Sequence, residues 1–353
     1  MMPSGAIVVA RQAGTAAAFA PLASAGGAVR VFAYHGAVPI LERLGVPHAP
    51  VDRFESVASA LDAAPCPLLL TGTSLDVADD SLWWRWARRR CVSSVAFVDQ
   101  WCNYAERFTV DGALLAPEAL PERIAAVDAL AAARLVEAGL PAAGIVVTGT
   151  PLTDTWDASD AAAVAALRAT LGGAGNPWIL LYVCEPDPRH WTDGWRLADA
   201  DYDDRIARVA SAAATLAADT GRSVHLAIKP HPIQIQRGFR PALPAAAPGV
   251  TTSVEEGDPR GLVRAADVTV GHQSMLLHEA AVAGGAVISL LGADETVPDL
   301  VRATPALRVC RPADLCEGLR AAASVRVVRA HRPPRGQATN GFLDALGLAE
   351  VGA

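Results

Sequence analysis

The sequence predicts an α/β protein of two Rossmann-like domains facing a cleft, and three observations predict it. Short apolar runs alternate with alanine-rich or amphipathic segments along the chain, the pattern of strand–helix–strand units in a parallel sheet. Polar tips follow the apolar runs rather than precede them, and in open α/β sheets ligands sit beyond the carboxyl ends of the strands. The alternation breaks once, at Gly172-Gly173-Ala174-Gly175-Asn176-Pro177, and then restarts. A chain of 353 residues, 52% of them hydrophobic, has the apolar material for two packed interiors.

Taken in order, Ala6–Ala10 is an apolar run of strand length, and Ala16–Ser24 has helical composition. Val29–Ala33 is the second strand; it stops at Tyr34-His35-Gly36, and Val38–Leu44 follows as a helix. Leu68–Leu70 is the third strand and ends at Thr71-Gly72-Thr73-Ser74. Ser81–Arg90 is an amphipathic helix with a tryptophan pair and an arginine-rich end. Val92–Val98 is the fourth strand, ending at Asp99-Gln100-Trp101-Cys102-Asn103-Tyr104, and Gly112–Leu115 is the fifth. Ala125–Ala138 is alanine-rich and reads as one helix. Ile145–Val147 is the sixth strand, ending at Thr148-Gly149-Thr150-Pro151.

An alanine-rich helix lies within Asp157–Asn176. The strand Trp178–Val183, a helix around Asp204–Asp219 and the strand Val224–Ile228 come next. A loop rich in Pro and Ala, Arg237–Val250, precedes the strand Val268–Val270. Helical spacing of Met275, Leu276, Ala280 and Ala283 marks a helix that Gly284-Gly285 ends. Ala286–Leu290 is then a strand and Ala313–Ala323 a helix. Arg332-Pro333-Pro334-Arg335 reads as extended coil before a final short helix, Gly341–Leu346. These readings divide the chain into an N-terminal domain (1–157), a linker (158–177), a C-terminal domain (178–330) and a tail (331–353).

A net charge of −7 argues against a broad nucleic-acid surface, although Arg85, Arg88, Arg89 and Arg90 form a local basic spot. Six cysteines without a CxxC pair or Cys/His ligand spacing read as buried thiols in a reducing cytoplasm. No run reaches the ~18 apolar residues of a membrane span. Arg11 follows the first apolar run instead of preceding it, unlike a signal peptide. Asp199-Ala200-Asp201 has the spacing of a metal-binding carboxylate pair. It belongs, however, to an acidic run leading into a helix, where acids match the helix dipole.

Lys229-Pro230-His231-Pro232 is the most specific string in the chain. Two prolines fix the backbone where it leaves a strand. Lys229 then offers a point charge, and His231 a hydrogen-bond donor, to a phosphate. The plainer reading is a rigid turn. Gln273-Ser274 stands where a helix begins. Serine is a natural N-cap, and the same geometry leaves N–H groups that suit an anion. Glu279, on that helix, is either a ligand for ribose hydroxyls or an exposed helix charge. Glu185-Pro186-Asp187 ends the first strand of the second half and offers contacts to a nucleotide. In the first half Asp99 is a candidate general base, or a turn or helix cap. Trp101 offers a sugar ring an apolar face, and Asn103 and Arg107 offer polar contacts. The strand tips at His35 and Ser74 join this set, though each is also ordinary turn chemistry.

Two Rossmann-like halves, a Lys-Pro-His-Pro string, a serine-bearing turn and a glutamate-containing helix together resemble glycosyltransferases of the GT-B fold. The motifs are most similar to those of bacterial sialyltransferases and polysialyltransferases, and of capsule-polymer transferases. The resemblance implies that Lys229, His231 and Ser274 bind donor phosphate and Glu279 the nucleotide ribose; Pro230, Gln273 and Glu185, read from their places at the strand tips, join that donor set. The acceptor site of His35, Ser74, Trp101, Asn103 and Arg107 is read from the strand tips and aromatics of the first half, since the motif resemblance covers only residues 224–290. The acidic motif that supplies the base in that group has no counterpart in the first half; Glu255-Glu256-Gly257 lies after the His-Pro string. Asp99, or Asp111-Gly112, would have to supply the base instead. The expected activity is metal-independent transfer of a sugar from a nucleotide-activated donor, CMP- or UDP-linked, to a hydroxyl acceptor. No other cofactor and no nucleic-acid partner is expected, and the location is cytoplasmic, compatible with peripheral membrane association. A nucleotide-sugar 2-epimerase or hydrolase on the same fold, and a non-catalytic binding protein, are the alternatives.

Overall fold

Two parallel sheets, one in each half, carry the chain. The computed structural model describes residues 2–24, 28–62, 66–158, 161–185, 199–236, 241–324 and 336–348. The chain divides into two units, Met1–Asp157 with Pro333–Ala353, and Ala158–Arg332.

The first unit runs β1 (Ile7–Ala10), α1 (Ala13–Ser24), β2 (Arg30–Ala33), α2 (Val38–Arg43), β3 (Ala49–Pro50), α3 (Ala58–Asp62), β4 (Leu68–Gly72) and α4 (Val77–Arg89). It continues with β5 (Ser93–Val98), a small antiparallel pair β6 (Thr109–Val110) and β7 (Ala113–Leu114), β8 (Arg123–Ala126), α5 (Ala129–Glu137) and β9 (Ile145–Val147). Seven strands form one parallel sheet in the order β3-β2-β1-β4-β5-β8-β9. Every residue of β1 and β4 is buried, as continuous apolar strands covered on both faces must be. Gly72 lets α1 approach the sheet, since a Cβ there would overlap the Thr15 side chain. Helix α4 buries Trp83 and Trp84 completely. Their indole N–H groups donate to the Tyr34 hydroxyl and the Thr71 hydroxyl, each at 2.9 Å, so neither burial leaves a polar atom unpaired.

The second unit begins with α6 (Ala161–Gly172), followed by β10 (Trp178–Val183), α7 (Asp199–Thr220), β11 (Val224–Lys229), α8 (Pro232–Gln236), β12 (Val250–Val254) and α9 (Pro259–Ala265). It ends with β13 (Val268–Gly271), α10 (Met275–Val282), β14 (Ala286–Leu290), α11 (Asp299–Arg302), β15 (Arg308–Cys310) and α12 (Leu315–Ser324). Its sheet is again parallel, in the order β12-β11-β10-β13-β14-β15. Val209, Ala213 and Leu216 of α7 and Leu315 and Leu319 of α12 pack into one core with Leu226, Ile228, Val270 and Ile288 of the strands. Arg168 of α6 holds Asp267 through two 2.9 Å bonds, while Asp267 accepts the Ile179 N–H at 2.8 Å. Those bonds tie α6 to this sheet. The last helix, α13 (Gln337–Ala345), belongs to the first unit. There Phe342 meets Phe97 edge to face at 5.4 Å, and the Thr339 N–H and hydroxyl donate to Asp154.

The α/β class with two Rossmann-like units is as expected, and several elements differ. Ala125–Ala138 is not one helix. Its first residues complete β8, paired on both sides by β5 and β9, and α5 starts only after the N-cap Asp128. Alanine favours helix, but pairing in the middle of a sheet overrides that preference. Gly112–Leu115 is not a strand of the main sheet. Asp111 and Gly112, at φ 50° and 78°, turn β6 into β7, the Asp-Gly hairpin signal. Strands β3, β12 and β15 were not legible: all three are sheet edges, β3 has only two residues, and β12 and β15 carry polar side chains. Cys91, expected to be buried, is exposed. The stretch 331–335, expected as coil, lies outside the described residues, as do Pro186 and Asp187 and the side chains of Asp199 and Asp201. Among the described residues no helix is long and apolar enough to cross a membrane.

Candidate functional site

In the second unit, β10 is the first strand, β11 and β12 extend the sheet to one side, and β13 starts the other side. The carboxyl ends of β10 and β13 are therefore the topological switch point, the place where a crevice opens in such sheets. Glu185 follows β10 there, the Gly271–Ser274 turn follows β13, and Lys229 ends the adjacent β11. Neighbouring strands lie about 4.8 Å apart, so the Lys229 tip and the start of α10 are separated by roughly 10 Å, with Glu185 just past the strand between.

Lys229 is 6% exposed, and its ammonium donates to the Pro230 carbonyl at 3.3 Å. Pro232 opens α8, and the His231 N–H donates to the Gln234 side-chain oxygen at 2.7 Å, folding the turn back on itself. Burial, and then the charge of Lys229, push the His231 imidazole down to about 4. It is neutral at pH 7, able to donate from one ring nitrogen and accept at the other. Ser274 is the N-cap of α10, with its hydroxyl accepting the Leu276 N–H at 3.3 Å. Glu279 pairs with the guanidinium of Arg260 at 3.4 Å.

Two residues that sequence reasoning did not single out complete this edge. His272 is 3% exposed and lies between two carboxylates. Its Nε2 contacts Glu295 Oε1, and its Nδ1 faces Glu185 Oε1 at 3.2 Å, off the line of a hydrogen bond. Glu185 Oε1 also accepts the Gln273 N–H. Burial alone lowers the affinity of the His272 ring for a proton; Glu185 and Glu295 outweigh burial, and the net shift is upward. Glu295 also has desolvation acting against its charge, but the Gly292 N–H and the imidazole hold it below the usual carboxylate range. The only signal for either residue was position after a strand, at the ends of β13 and β14.

The carboxyl edge of the first unit is paired within itself. Asp99 is 5% exposed; its carboxylate accepts from the Thr15 hydroxyl at 3.3 Å and pairs with Arg107 at 3.4 Å. Burial raises its proton affinity against the pull of Arg107. Arg107 is 3% exposed and also donates to the Thr73 hydroxyl and carbonyl and to the Cys102 carbonyl. Ser74 donates to Asp80 at 2.7 Å, and the Trp101 indole donates to Asp128, the cap of α5, at 2.7 Å. Asn103 adopts the left-handed region at φ 55°, which asparagine tolerates better than most residues. His35 is exposed, 3.6 Å from Asp52. Sequence reasoning missed a second cluster here. Arg11, after β1, pairs with Asp76, Asp79 and Asp80 and lies over the Tyr34 ring at 3.7 Å. Burial pushes Asp80 up to about 6 in spite of Arg11 and Ser74.

No family model and no curated protein sequence matches the chain, so the resemblance to sialyltransferases has no support in sequence. Solved structures do match. A putative UDP-N-acetylglucosamine 2-epimerase from Listeria monocytogenes aligns over 98% of this chain and 96% of its own, with TM-score 0.66 and 13% identity. UDP-GlcNAc 2-epimerase from Neisseria meningitidis, bound to UDP-GlcNAc, aligns over 98% and 99% with TM-score 0.64 and 13% identity. The Methanocaldococcus jannaschii UDP-GlcNAc 2-epimerase aligns over 98% and 99% with TM-score 0.66 and 12% identity. At such identities the likeness establishes the fold. It overturns the glycosyltransferase expectation, and with it the hydroxyl acceptor: over 98% of its length the chain aligns with the fold of UDP-GlcNAc 2-epimerases.

Proposed function

We propose that the chain is an enzyme acting on a UDP-linked sugar, a nucleotide-sugar 2-epimerase or the hydrolysing form of one, whose nucleotide phosphates lie on the carboxyl edge of the second unit. The observation that carries this reading is the placement of a buried ammonium, Lys229, and the N-terminus of α10 on the two strands that flank β10. A cation and a helix N-terminus both favour phosphate. Epimerases of this fold have been solved with UDP-GlcNAc or UDP bound, which supports a UDP-linked substrate over a CMP-linked one.

Inverting a ring carbon takes a proton from one face and returns one to the other, so a base and an acid are required. His231 is assigned the proton-carrying role because its ring is neutral at pH 7 and stands two residues beyond Lys229. Asp99 is a weaker candidate, since its carboxylate is occupied by Arg107 and Thr15.

Turnover without an acceptor tests the reading. Incubated with UDP-GlcNAc in deuterated water and no second sugar, the protein is expected to produce the C2 epimer, or free UDP and sugar, with deuterium at C2 by NMR. Complete retention of the C2 proton, with UDP released only when a hydroxyl acceptor is added, would overturn it.

A further inference from the structure

We propose that His272 is a positioning residue of this nucleotide site: its imidazolium cross-links three strand tips and thereby fixes the start of α10 against the phosphates. The inference rests on the nucleotide reading above. Every part of the cross-link lies at the carboxyl edge of one sheet. Nδ1 faces Glu185, at the end of β10, at 3.2 Å, and Nε2 contacts Glu295, in the loop after β14. The His272 carbonyl accepts the Ser289 hydroxyl of β14 at 2.5 Å. Both carboxylates are themselves tied to backbone. Glu185 holds the Gln273 N–H, and Glu295 Oε2 holds the Gly292 N–H at 2.8 Å. Arg311, just past β15, donates to the Gly292 and Glu295 carbonyls.

The ring therefore sits two residues before the α10 N-cap, and the carboxylate it faces grips the N–H of the residue between them. Moving the imidazole moves Gln273, and with it the entry of the chain into α10. Two carboxylates around one ring are compatible only while the ring carries a proton, because a neutral imidazole has a single N–H and leaves one carboxylate facing a lone pair. Besides Glu185 and Glu295, the charged group that acts on the ring is Arg205 of α7, which opposes protonation; the hydroxyl of Ser289 meets the carbonyl, not the ring. Loss of the proton would loosen the tips of β10, β13 and β14 together and weaken phosphate binding. By reciprocity, bound nucleotide must hold the proton on His272 more tightly.

The test is calorimetric titration of UDP on the whole chain across the pH range in which His272 loses its proton, each affinity read against the ionisation of the free nucleotide. For the wild type, affinity is expected to fall about tenfold or more across that range. The midpoint should match the His272 titration followed by NMR of labelled histidine, and UDP should move that titration upward. In His272→Gln, affinity should drop to the level the wild type has once His272 is deprotonated, with a flat profile. In His272→Lys, which keeps a charge, it should recover in part. Wild-type affinity that ignores the His272 titration overturns the inference alone, even if neither variant folds. A wild type that binds no UDP at any of these pH values overturns the nucleotide reading as well.

Discussion

Replacing Lys229 with methionine is expected to remove most of the stabilisation that UDP confers. At a ligand concentration 100 times Kd, binding adds about 2.7 kcal/mol to the stability of the protein it occupies. Methionine keeps the unbranched stem but removes a buried cation, and a charge-assisted bond to phosphate formed away from water is among the stronger polar contacts. A loss of about 2.7 kcal/mol, roughly 100-fold in Kd, leaves only about 0.4 kcal/mol at the same ligand concentration. Thermal melts with and without UDP measure this directly. Equal shifts for the variant and the wild type would remove Lys229 from the site. Binding of uridine, which lacks phosphates, should be far less sensitive to the substitution than binding of UDP.

The second large effect lies in the first unit. Arg107→Met is expected to destabilise it by about 3–5 kcal/mol, because it strands the Asp99 carboxylate in a dry interior. For a unit of this size that corresponds to a fall in Tm of roughly 10 °C. Methionine fills the space of the guanidinium stem but supplies no donor for Asp99, Thr73 or the Cys102 carbonyl. The double substitution Arg107→Met with Asp99→Asn should recover much of the loss, since neither charge is then left alone. The pH dependence has a definite sign. Asp99 already binds its proton more tightly in the folded protein than in the unfolded chain. Between the unfolded carboxylate value and the raised folded one the native state holds more protons, so this residue's contribution declines as pH rises through that window. Without Arg107 the folded value rises further, and the variant should regain stability on acidification while the wild type gains less. A variant that melts like the wild type at pH 7 but loses ligand would return Arg107 to the binding role expected from the sequence.

How much was legible in the sequence follows from where each residue's partners lie. The strands Ile145–Val147, Trp178–Val183 and Ala286–Leu290 have the predicted limits because their apolar runs end abruptly at polar or glycine residues. The Lys229 and Ser274 tips could be assigned to one sheet edge from local order alone, since parallel strands bring their carboxyl ends together. The ring of His272, by contrast, is defined by Glu185, 87 residues before it, and Glu295, 23 after it, and no local pattern encodes that meeting. Arg107 and Asp99 look like two exposed polar residues of a strand-end loop in sequence; only the fold turns them into a buried pair. Similarly, α13 carries no sign in its own residues that Phe342 is destined for Phe97 of the first unit. The choice between moving a sugar to an acceptor and altering the sugar itself was not legible at all, because both chemistries need the same phosphate-binding edge.

Hydrogen exchange read by mass spectrometry, with and without saturating UDP, tests the central claim most directly. Slower exchange is expected at the amides of 231–236 and 271–279, the turns that follow β11 and β13, with smaller changes in the interiors of either sheet. Protection confined to the first unit, for example to the turns around Ser74 and Asp99, or no protection anywhere, would contradict a nucleotide site on the second unit's carboxyl edge.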